Sequence, residues 1–213
     1  MTNASPNTTQ TSVVGILIQG AIKTLTVGNT VRDISGAGEY PQASGYNVTG
    51  IHYATNNPGS KIVGNKVQNI SSTSLSANSL AAAGIFTLYI DSILGNMVVN
   101  VSTQSTGAGS TAAGIAASAQ CLSNNIISMG SSSRRVYGFY QVGLYVIYNT
   151  VYIGGASSNF ESAAFRSGLT NNYVVKNNVF VNAKQNASGT NLRHFAITQN
   201  HAIQASECNF NNY

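Results

Sequence analysis

The side chains that could support acid–base or metal chemistry are few in this sequence. Glycoside hydrolysis needs two carboxylates facing each other across the substrate, and a Ca²⁺ site needs several oxygen ligands close together. The 213 residues contain five carboxylates, which are Asp33, Glu39, Asp91, Glu161 and Glu207. No two of them occupy the same position in the sequence repeat described below. The sequence therefore predicts no catalytic residues, no metal site and no cofactor.

Histidine and cysteine add no recognisable nucleophilic or metal-binding signature. His194 follows Arg193, and no serine or cysteine nucleophile motif lies nearby, so a catalytic triad cannot be argued. Cys121 and Cys208 belong to no Cys-x-x-Cys motif. The repeat register places them about 14 Å apart, beyond the roughly 7 Å that a disulfide spans. We therefore expect no bridge between them.

The composition favours a secreted protein and excludes several other classes. Charged residues make up 7% of the chain, well below the ~25% typical of soluble domains, and Asn, Ser, Thr and Gly supply the polarity. We therefore expect an extracellular or cell-surface location. The net charge of +5 is scattered and lacks the basic patch of a nucleic-acid-binding protein. The chain has no apolar run of about eighteen residues, so it is predicted to have no membrane span.

Two short phrases recur along the chain. A glycine phrase reads "VVGIL" at Val13, "VTGIH" at Val48, "AAGIF" at Ala82, "AAGIA" at Ala112 and "VYGFY" at Val136, with drifted copies at Ser162 and His194. An asparagine phrase follows each copy, as in "GNTVRDI", "GNKVQNI" and "GNMVVNV". A short β-branched or aromatic run such as "KTLTV" lies between them. Three short strands per repeat and no helical periodicity predict an all-β chain.

The repeat length varies while the three strands stay constant, which is typical of a coil with loops of free length at one turn. We predict a right-handed parallel β-helix, a solenoid of about seven coils with three short strands per coil. Residues 1–12 are predicted to be a flexible N-terminal segment. Residues 13–213 are predicted to be a single β-helix domain and a fragment of a longer chain.

Alternation along a strand assigns each column of the repeat a direction. The inward column of the glycine phrase is predicted to be Ile16, Ile51, Ile85, Ile115, Phe139, Phe165 and Ile197. The inward column of the asparagine phrase is predicted to be Val31, Val67, Val98, Ile127, Val151, Phe180 and Phe210. A second polar row is predicted at Asp33, Asn69, Asn100 and Asn182, interrupted by Met129 and Ile153.

The asparagines that open the asparagine phrase are predicted to form a structural ladder. Asparagine tolerates the left-handed backbone of a bend, and stacked amides hydrogen-bond to one another. The ladder residues are Asn29, Asn65, Asn96, Asn125, Asn149 and Asn178. Cys208 is assigned to this position in the seventh repeat, where the ladder is expected to end.

The glycines of the first phrase are predicted to point outward and to form a shallow trough. His52, Phe86, Tyr140 and Arg166 border this trough as candidate binding residues. Aromatic rings beside a flat surface can stack on sugars or pack against another chain. Whether loops cover this face is left open by the sequence.

The phrases "GNKVQNI" and "VTGIH" resemble the Asn-rich repeats of the right-handed parallel β-helix (pectin-lyase-like) superfamily, as found in large secreted cell-surface proteins of Gram-negative bacteria. The resemblance covers Val13 to Tyr213. The absent acid cluster, the low charge and the open coil ends favour a non-catalytic structural or adhesive module that self-associates end to end or binds glycans. The alternative is a polysaccharide lyase or hydrolase, or its carbohydrate-binding remnant. Expected partners are a polysaccharide or another protein chain at the open coil ends.

Overall fold

The computed structural model describes residues 12–20, 23–37, 47–74, 81–105, 109–132, 134–140, 143–156, 159–168, 174–186, 193–199 and 208–209. All helical or strand structure in these ranges is β-strand, and every strand pairing found there is parallel. The prediction of an all-β chain of parallel strands is confirmed. Apart from Ser12, the predicted flexible segment 1–12 lies outside the described residues.

The strands follow the three phrases of the sequence. Glycine phrases form β1 (Val13–Ile18), β4 (Val48–Val63), β6 (Ala82–Leu94), β8 (Thr111–Ser123), β10 (Arg135–Tyr140), β13 (Ser162–Ser167) and β16 (His194–Gln199). Middle runs form β2 (Leu25–Val27), β11 (Tyr145–Ile147), β14 (Val174–Lys176) and β17 (Cys208–Asn209). Asparagine phrases form β3 (Thr30–Gly36), β5 (Lys66–Ser72), β7 (Met97–Thr103), β9 (Ile126–Met129), β12 (Thr150–Ile153) and β15 (Val179–Asn182). In β4, β6 and β8 the first two predicted strands are continuous.

The strands form two sheets, and each strand pairs with its counterpart in the next repeat. One sheet has the order β1-β4-β6-β8-β10-β13-β16, and the middle runs β2, β11, β14 and β17 join the same sheet through β4 and β8. The other sheet has the order β15-β12-β9-β7-β5-β3. The register keeps equivalent residues opposite each other, as in Ile51 with Ile85 and Val67 with Val98.

The two sheets enclose one apolar core. Its fully buried members from the glycine phrases are Ile51, Ile85, Ile115, Phe139 and Phe165, and those from the asparagine phrases are Val67, Val98, Val151 and Phe180, with Ile127 at 1% exposure. Ile16 and Ile197 are partly buried and pack against this cluster. Each large apolar side chain removed from water contributes about 1.5–3 kcal/mol, so these rows stabilise the stacking of repeats.

The glycines of the first phrase face the core, and the expectation that they point outward is wrong. A Cβ on Gly114 would lie 2.5 Å from Ile127 Cγ2 and 2.8 Å from the carbonyl oxygen of Gly138. Val48 and Ile51 both belong to the core, although strict alternation would send residues three apart to opposite faces. Alternation therefore breaks at the glycine, where the opposite sheet leaves no room for a side chain.

The register of β17 corrects the assignment of the last repeat. Cys208 pairs with Val175 and Asn209 with Lys176, whereas the repeat pattern predicts Cys208 opposite Asn178. Cys208 therefore belongs to the middle row and not to the ladder. Phe210, predicted for the inward column of Phe180, lies outside the described residues.

We expect Gly114→Ala to destabilise the protein by about 1–3 kcal/mol, because the added methyl group would overpack the space between the two sheets. The free energy of unfolding is measured by chemical denaturation. Gly130→Ala is the matched control, since the nearest atom to its Cβ would be Asn100 Oδ1 at 3.7 Å. Equal stability of the two variants would contradict the inward direction of Gly114.

Candidate functional site

Each asparagine phrase is entered through a residue with left-handed backbone. These residues are Gly28 (φ 65°), Gly64 (φ 61°), Gly95 (φ 61°), Asn124 (φ 55°), Tyr148 (φ 58°) and Asn177 (φ 56°). Each of them immediately precedes a ladder asparagine. The expectation that the ladder asparagines themselves adopt the left-handed conformation is therefore wrong. The preceding residue makes the turn, and the asparagine follows it at the start of the next strand.

Asn96 shows the hydrogen bonding that the ladder asparagines share. Its Oδ1 accepts from the backbone N–H and the Nδ2 of Asn65, at 2.9 and 3.0 Å. Its Nδ2 lies 3.1 Å from Asn125 Oδ1, 2.9 Å from the Ile62 carbonyl oxygen and 3.0 Å from the Leu94 carbonyl oxygen. The side-chain bonds run in one direction through Asn29, Asn65, Asn96, Asn125, Asn149 and Asn178.

The ladder amides are buried. Asn65, Asn96, Asn149 and Asn178 are 1% exposed and Asn125 is 0% exposed. A buried amide without partners costs about 1–3 kcal/mol. The buried ladder asparagines avoid this cost because both the Oδ1 and the Nδ2 of each side chain are hydrogen-bonded. They also supply partners to the carbonyl groups of the middle strand, as Asn125 does for Ile93. The ladder therefore satisfies backbone groups at the corner between the two sheets.

A second polar row lies at the surface of the first three repeats. Asp33, Asn69 and Asn100 have φ values of 58°, 56° and 57°, and they are exposed. Asn69 Nδ2 donates to Asp33 Oδ1 at 2.8 Å, and Asn100 Nδ2 donates to Asn69 Oδ1 at 3.0 Å. Met129 and Ile153, at the same position of later repeats, are buried in the core. The left-handed residue therefore turns this position outward in early repeats only.

The predicted binding residues lie in one row of the larger sheet. The register aligns Leu17, His52, Phe86, Ala116, Tyr140, Arg166 and Thr198. His52 is only 8% exposed and Phe86 only 5%. Phe86 packs in a second apolar cluster with Ala83, Ala113 and Ala116. Two neighbouring pairs result, His52 with Phe86 and Tyr140 with Arg166. The side chains of the first pair are buried.

His52 is held as a neutral side chain. Its ring lies 5.0 Å from the Phe86 ring, centroid to centroid, at an interplanar angle of 53°. Burial lowers the pKa of His52 to about 4, because a charged imidazolium is poorly solvated there. Its Nδ1 is buried without a hydrogen-bond partner. At neutral pH His52 therefore offers no positive charge to a ligand.

Tyr140 and Arg166 belong to a closed network with two residues that the sequence analysis missed. The Tyr140 ring stacks on Tyr137 at a centroid distance of 5.2 Å. Arg166 Nη1 donates to the Tyr137 hydroxyl at 2.8 Å, and that hydroxyl donates to Glu161 Oε1 at 3.0 Å. Arg166 Nε lies 3.7 Å from the same Glu161 oxygen. Burial raises the pKa of Tyr137 well above its usual range.

The signal for Tyr137 was available in the phrase "VYGFY". The break in alternation at Gly138 puts Tyr137 and Tyr140 on the same outer face, although strict alternation separates them. Both charges and the Tyr137 hydroxyl have partners within this cluster, since Glu161 faces both Arg166 and Tyr137. The arrangement stabilises β10 against β13 and leaves Glu161 without the freedom of a general base.

The other described carboxylates and Cys121 do not assemble into a site. Asp33 lies in β3 and Asp91 in β6, while Glu39 and Glu207 fall outside the described residues. No group of three or more His, Cys, Asp and Glu that could hold a metal ion occurs in that part of the chain. Cys121 is a free thiol, and burial raises its pKa. None of the described residues forms a helix long and apolar enough to cross a membrane.

Comparisons with protein-family models, curated proteins and solved structures found no match to this chain. Function is therefore inferred from the geometry of the chain itself. Its main features are the buried amide ladder, a covered aromatic row and a closed Tyr–Arg–Glu network.

We expect Asn96→Asp to destabilise the protein by about 3–5 kcal/mol at neutral pH, because a buried carboxylate would face the carbonyl groups of Ile62 and Leu94. The same repulsion raises the pKa of the new carboxyl above its unfolded value. The deficit is therefore largest at neutral pH and shrinks as the pH falls and the carboxyl is protonated. Denaturation at a series of pH values measures this.

Asn100→Asp is the control for the ladder variant. Asn100 lies four residues further along the chain, in the exposed polar row, where a carboxylate remains solvated. We expect it to change the free energy of unfolding by less than about 1 kcal/mol. If Asn100→Asp lowered the free energy of unfolding as much as Asn96→Asp does, the buried ladder would contribute no more to stability than the exposed row.

The pH dependence of stability tests the burial of His52. The unfolded side chain titrates near 6.5 and the folded one near 4, so the unfolded state binds more protons between these values. The free energy of unfolding should fall by up to about 3 kcal/mol as the pH drops from 6.5 to 4. In His52→Leu this fall of the free energy of unfolding between pH 6.5 and 4 should be absent. Because His194 is present in both proteins, parallel curves would exclude the assignment to His52.

Proposed function

We propose that the chain is a right-handed parallel β-helix of about seven coils, related in kind to the pectin-lyase-like superfamily. We further propose that it acts as a non-catalytic structural or adhesive module of a secreted or cell-surface protein. Its low charge, 7% of residues, supports an extracellular setting. The coils stack along one axis, so that the two sheets present long flat outer faces to partners.

The hydrogen bonding of the buried ladder amides is the observation that supports this proposal most directly. The amides of Asn65, Asn96, Asn125, Asn149 and Asn178 bond to neighbouring repeats and to the backbone. Their hydrogen-bonding capacity is used in holding the stack together. The alternative of a polysaccharide lyase or hydrolase needs two carboxylates that share a site. The described carboxylates are far apart in the strand order, with Asp33 in β3, Asp91 in β6 and Glu161 just before β13. No observation on the described residues favours that alternative.

The outer face of the six-stranded sheet is the surface that we assign to adhesion. One row of this face contains Met97 at 40% exposure, Ile126 at 51% and Val179 at 37%. The row beside it contains Tyr152 at 46% and Val181 at 37%. Exposed apolar patches on a soluble fold mark interaction sites, and a flat surface with a tyrosine suits a polysaccharide or another protein chain.

End-to-end association of copies is a second consequence of the proposed stack. In each step of the ladder the asparagine of one repeat donates to Oδ1 of the next, as Asn29 does to Asn65. This polarity makes the two ends of the stack complementary. The edge strands β1 and β3 lie at one end and β16 and β15 at the other, and edge strands readily pair with further strands.

Incubation with a panel of polysaccharides tests the proposed function. We expect the protein to bind members of the panel without shortening them and without new absorbance from unsaturated sugars. Tyr152→Ser should weaken binding by about tenfold, equivalent to ~1.4 kcal/mol. Tyr145→Ser is the matched control, because Tyr145 is 50% exposed but lies on the other sheet.

Shortened chains or unsaturated products would overturn the non-catalytic proposal and support the lyase or hydrolase. Equal losses from the two tyrosine variants would remove the six-stranded face as the adhesive surface. Sedimentation of the same protein over a range of concentrations tests self-association. A monomer at every concentration, together with no binding to the panel, would leave only a structural role and contradict adhesion.

A further inference from the structure

The interior of the stack changes from apolar to polar in its last repeats. Along one inward column the register runs through Val48, Ala82, Ala112 and Val136 and then reaches Ser162 and His194. Along the facing column it runs from Met129 and Ile153 to Asn182. Ser162 is only 1% exposed. A polar group at an apolar core position costs free energy unless it has partners, so this change needs an explanation.

Hydrogen bonds fix three of these side chains in place. Asn182 Nδ2 donates to the carbonyl oxygen and the Oγ of Ser162, at 3.1 and 2.9 Å, and to the Phe195 carbonyl oxygen at 2.9 Å. Ser162 Oγ lies 2.9 Å from His194 Nδ1. Asn182 Oδ1 accepts from the backbone N–H of Lys184 at 3.3 Å. The cluster therefore has a defined geometry that joins β13, β15 and β16.

Two buried nitrogen atoms of the cluster, Lys184 Nζ and His194 Nε2, have no partner in good hydrogen-bond geometry. The Gln185 backbone lies near enough to the His194 ring to act as a hydrogen-bond partner that raises its pKa, so Lys184 Nζ is the more open donor. Lys184 as a whole is only 6% exposed. Ser162 Oγ carries one proton and lies 2.9 Å from His194 Nδ1 and 3.2 Å from Asn182 Oδ1. We assign the proton to the shorter contact, which makes Nδ1 the acceptor. This tautomer leaves a proton on Nε2, so both buried nitrogens are donors.

No carboxylate of the described residues balances Lys184. The acid nearest in sequence to this cluster, Glu161, uses its carboxylate on Tyr137 and Arg166, and Asp33 pairs with Arg32. Burial lowers the pKa of Lys184. The pKa of His194 is lowered first by burial and also by the charge of Lys184, while the backbone of Gln185 acts in the opposite direction. The two groups therefore share one electrostatic environment.

We propose that Lys184 and His194, positioned by Ser162 and Asn182, bind a small tetrahedral oxyanion such as phosphate or sulfate. The anion accepts from Lys184 Nζ and His194 Nε2, and its charge balances the buried ammonium group. Access comes from the end of β15, where Ala183 and Gln185 on either side of Lys184 are exposed. The site is separate from the six-stranded face, so it does not depend on the adhesive role.

Titration of the whole chain with sodium phosphate and sodium sulfate, followed by calorimetry at constant ionic strength in chloride, tests the site. We expect one saturable site per chain. Lys184→Met should lower the affinity by at least about tenfold, since it keeps the volume and removes the charge. Lys61→Met is the control, because Lys61 is exposed in β4 and should change the affinity by less than about twofold.

Ser162→Ala gives a second test that does not remove the charged donor. It should weaken binding by about threefold to tenfold, because His194 loses the hydroxyl that fixes its tautomer. Acetate should bind at least about tenfold more weakly than phosphate, since a planar carboxylate matches a tetrahedral site poorly. The absence of saturable binding in the wild type, equal binding by Lys184→Met, or equal affinity for acetate would overturn the proposal.

Discussion

The amide ladder from Asn29 to Asn178, buried from Asn65 onward, is the interaction on which the rest of this structure depends. At each turn the chain passes through a left-handed residue, and carbonyl groups such as those of Ile62 and Leu94 face the interior. The asparagine amides supply partners to these groups and connect each repeat to the next. Unpartnered, each such buried group would cost about 1–3 kcal/mol. The ladder therefore permits sharp corners between two sheets that share one narrow core.

The narrowness of that core decides which surfaces remain for function. Glycine is needed where the sheets approach most closely, as Gly114 does to Ile127. The break in alternation at these glycines directs side chains such as Phe86 and Tyr137 to the outer face, where they are buried. His52 and Phe86 of the predicted aromatic row are therefore covered, and the exposed apolar residues of the six-stranded sheet form the surface that we propose for adhesion.

Scarcity of charge makes each buried charged group informative. Arg166 and Glu161 neutralise each other beside Tyr137, so each has a partner within the fold. Lys184 differs from Arg166. It is buried next to His194, and no carboxylate among the described residues pairs with it. The inward column is apolar in the four repeats before Ser162 and becomes polar at Ser162. That contrast distinguishes a candidate ligand site from ordinary core packing.

The sequence by itself determined the strands, their parallel pairing and the apolar columns, because these recur at equivalent positions in each repeat. It also located the asparagines that form the ladder. Only the tertiary structure decided the direction of the glycines, the left-handed residue at each turn, the register of Cys208 and the burial of His52. These features depend on contacts between residues about thirty positions apart and on local breaks in alternation. The residue pattern along a single strand does not predict these features.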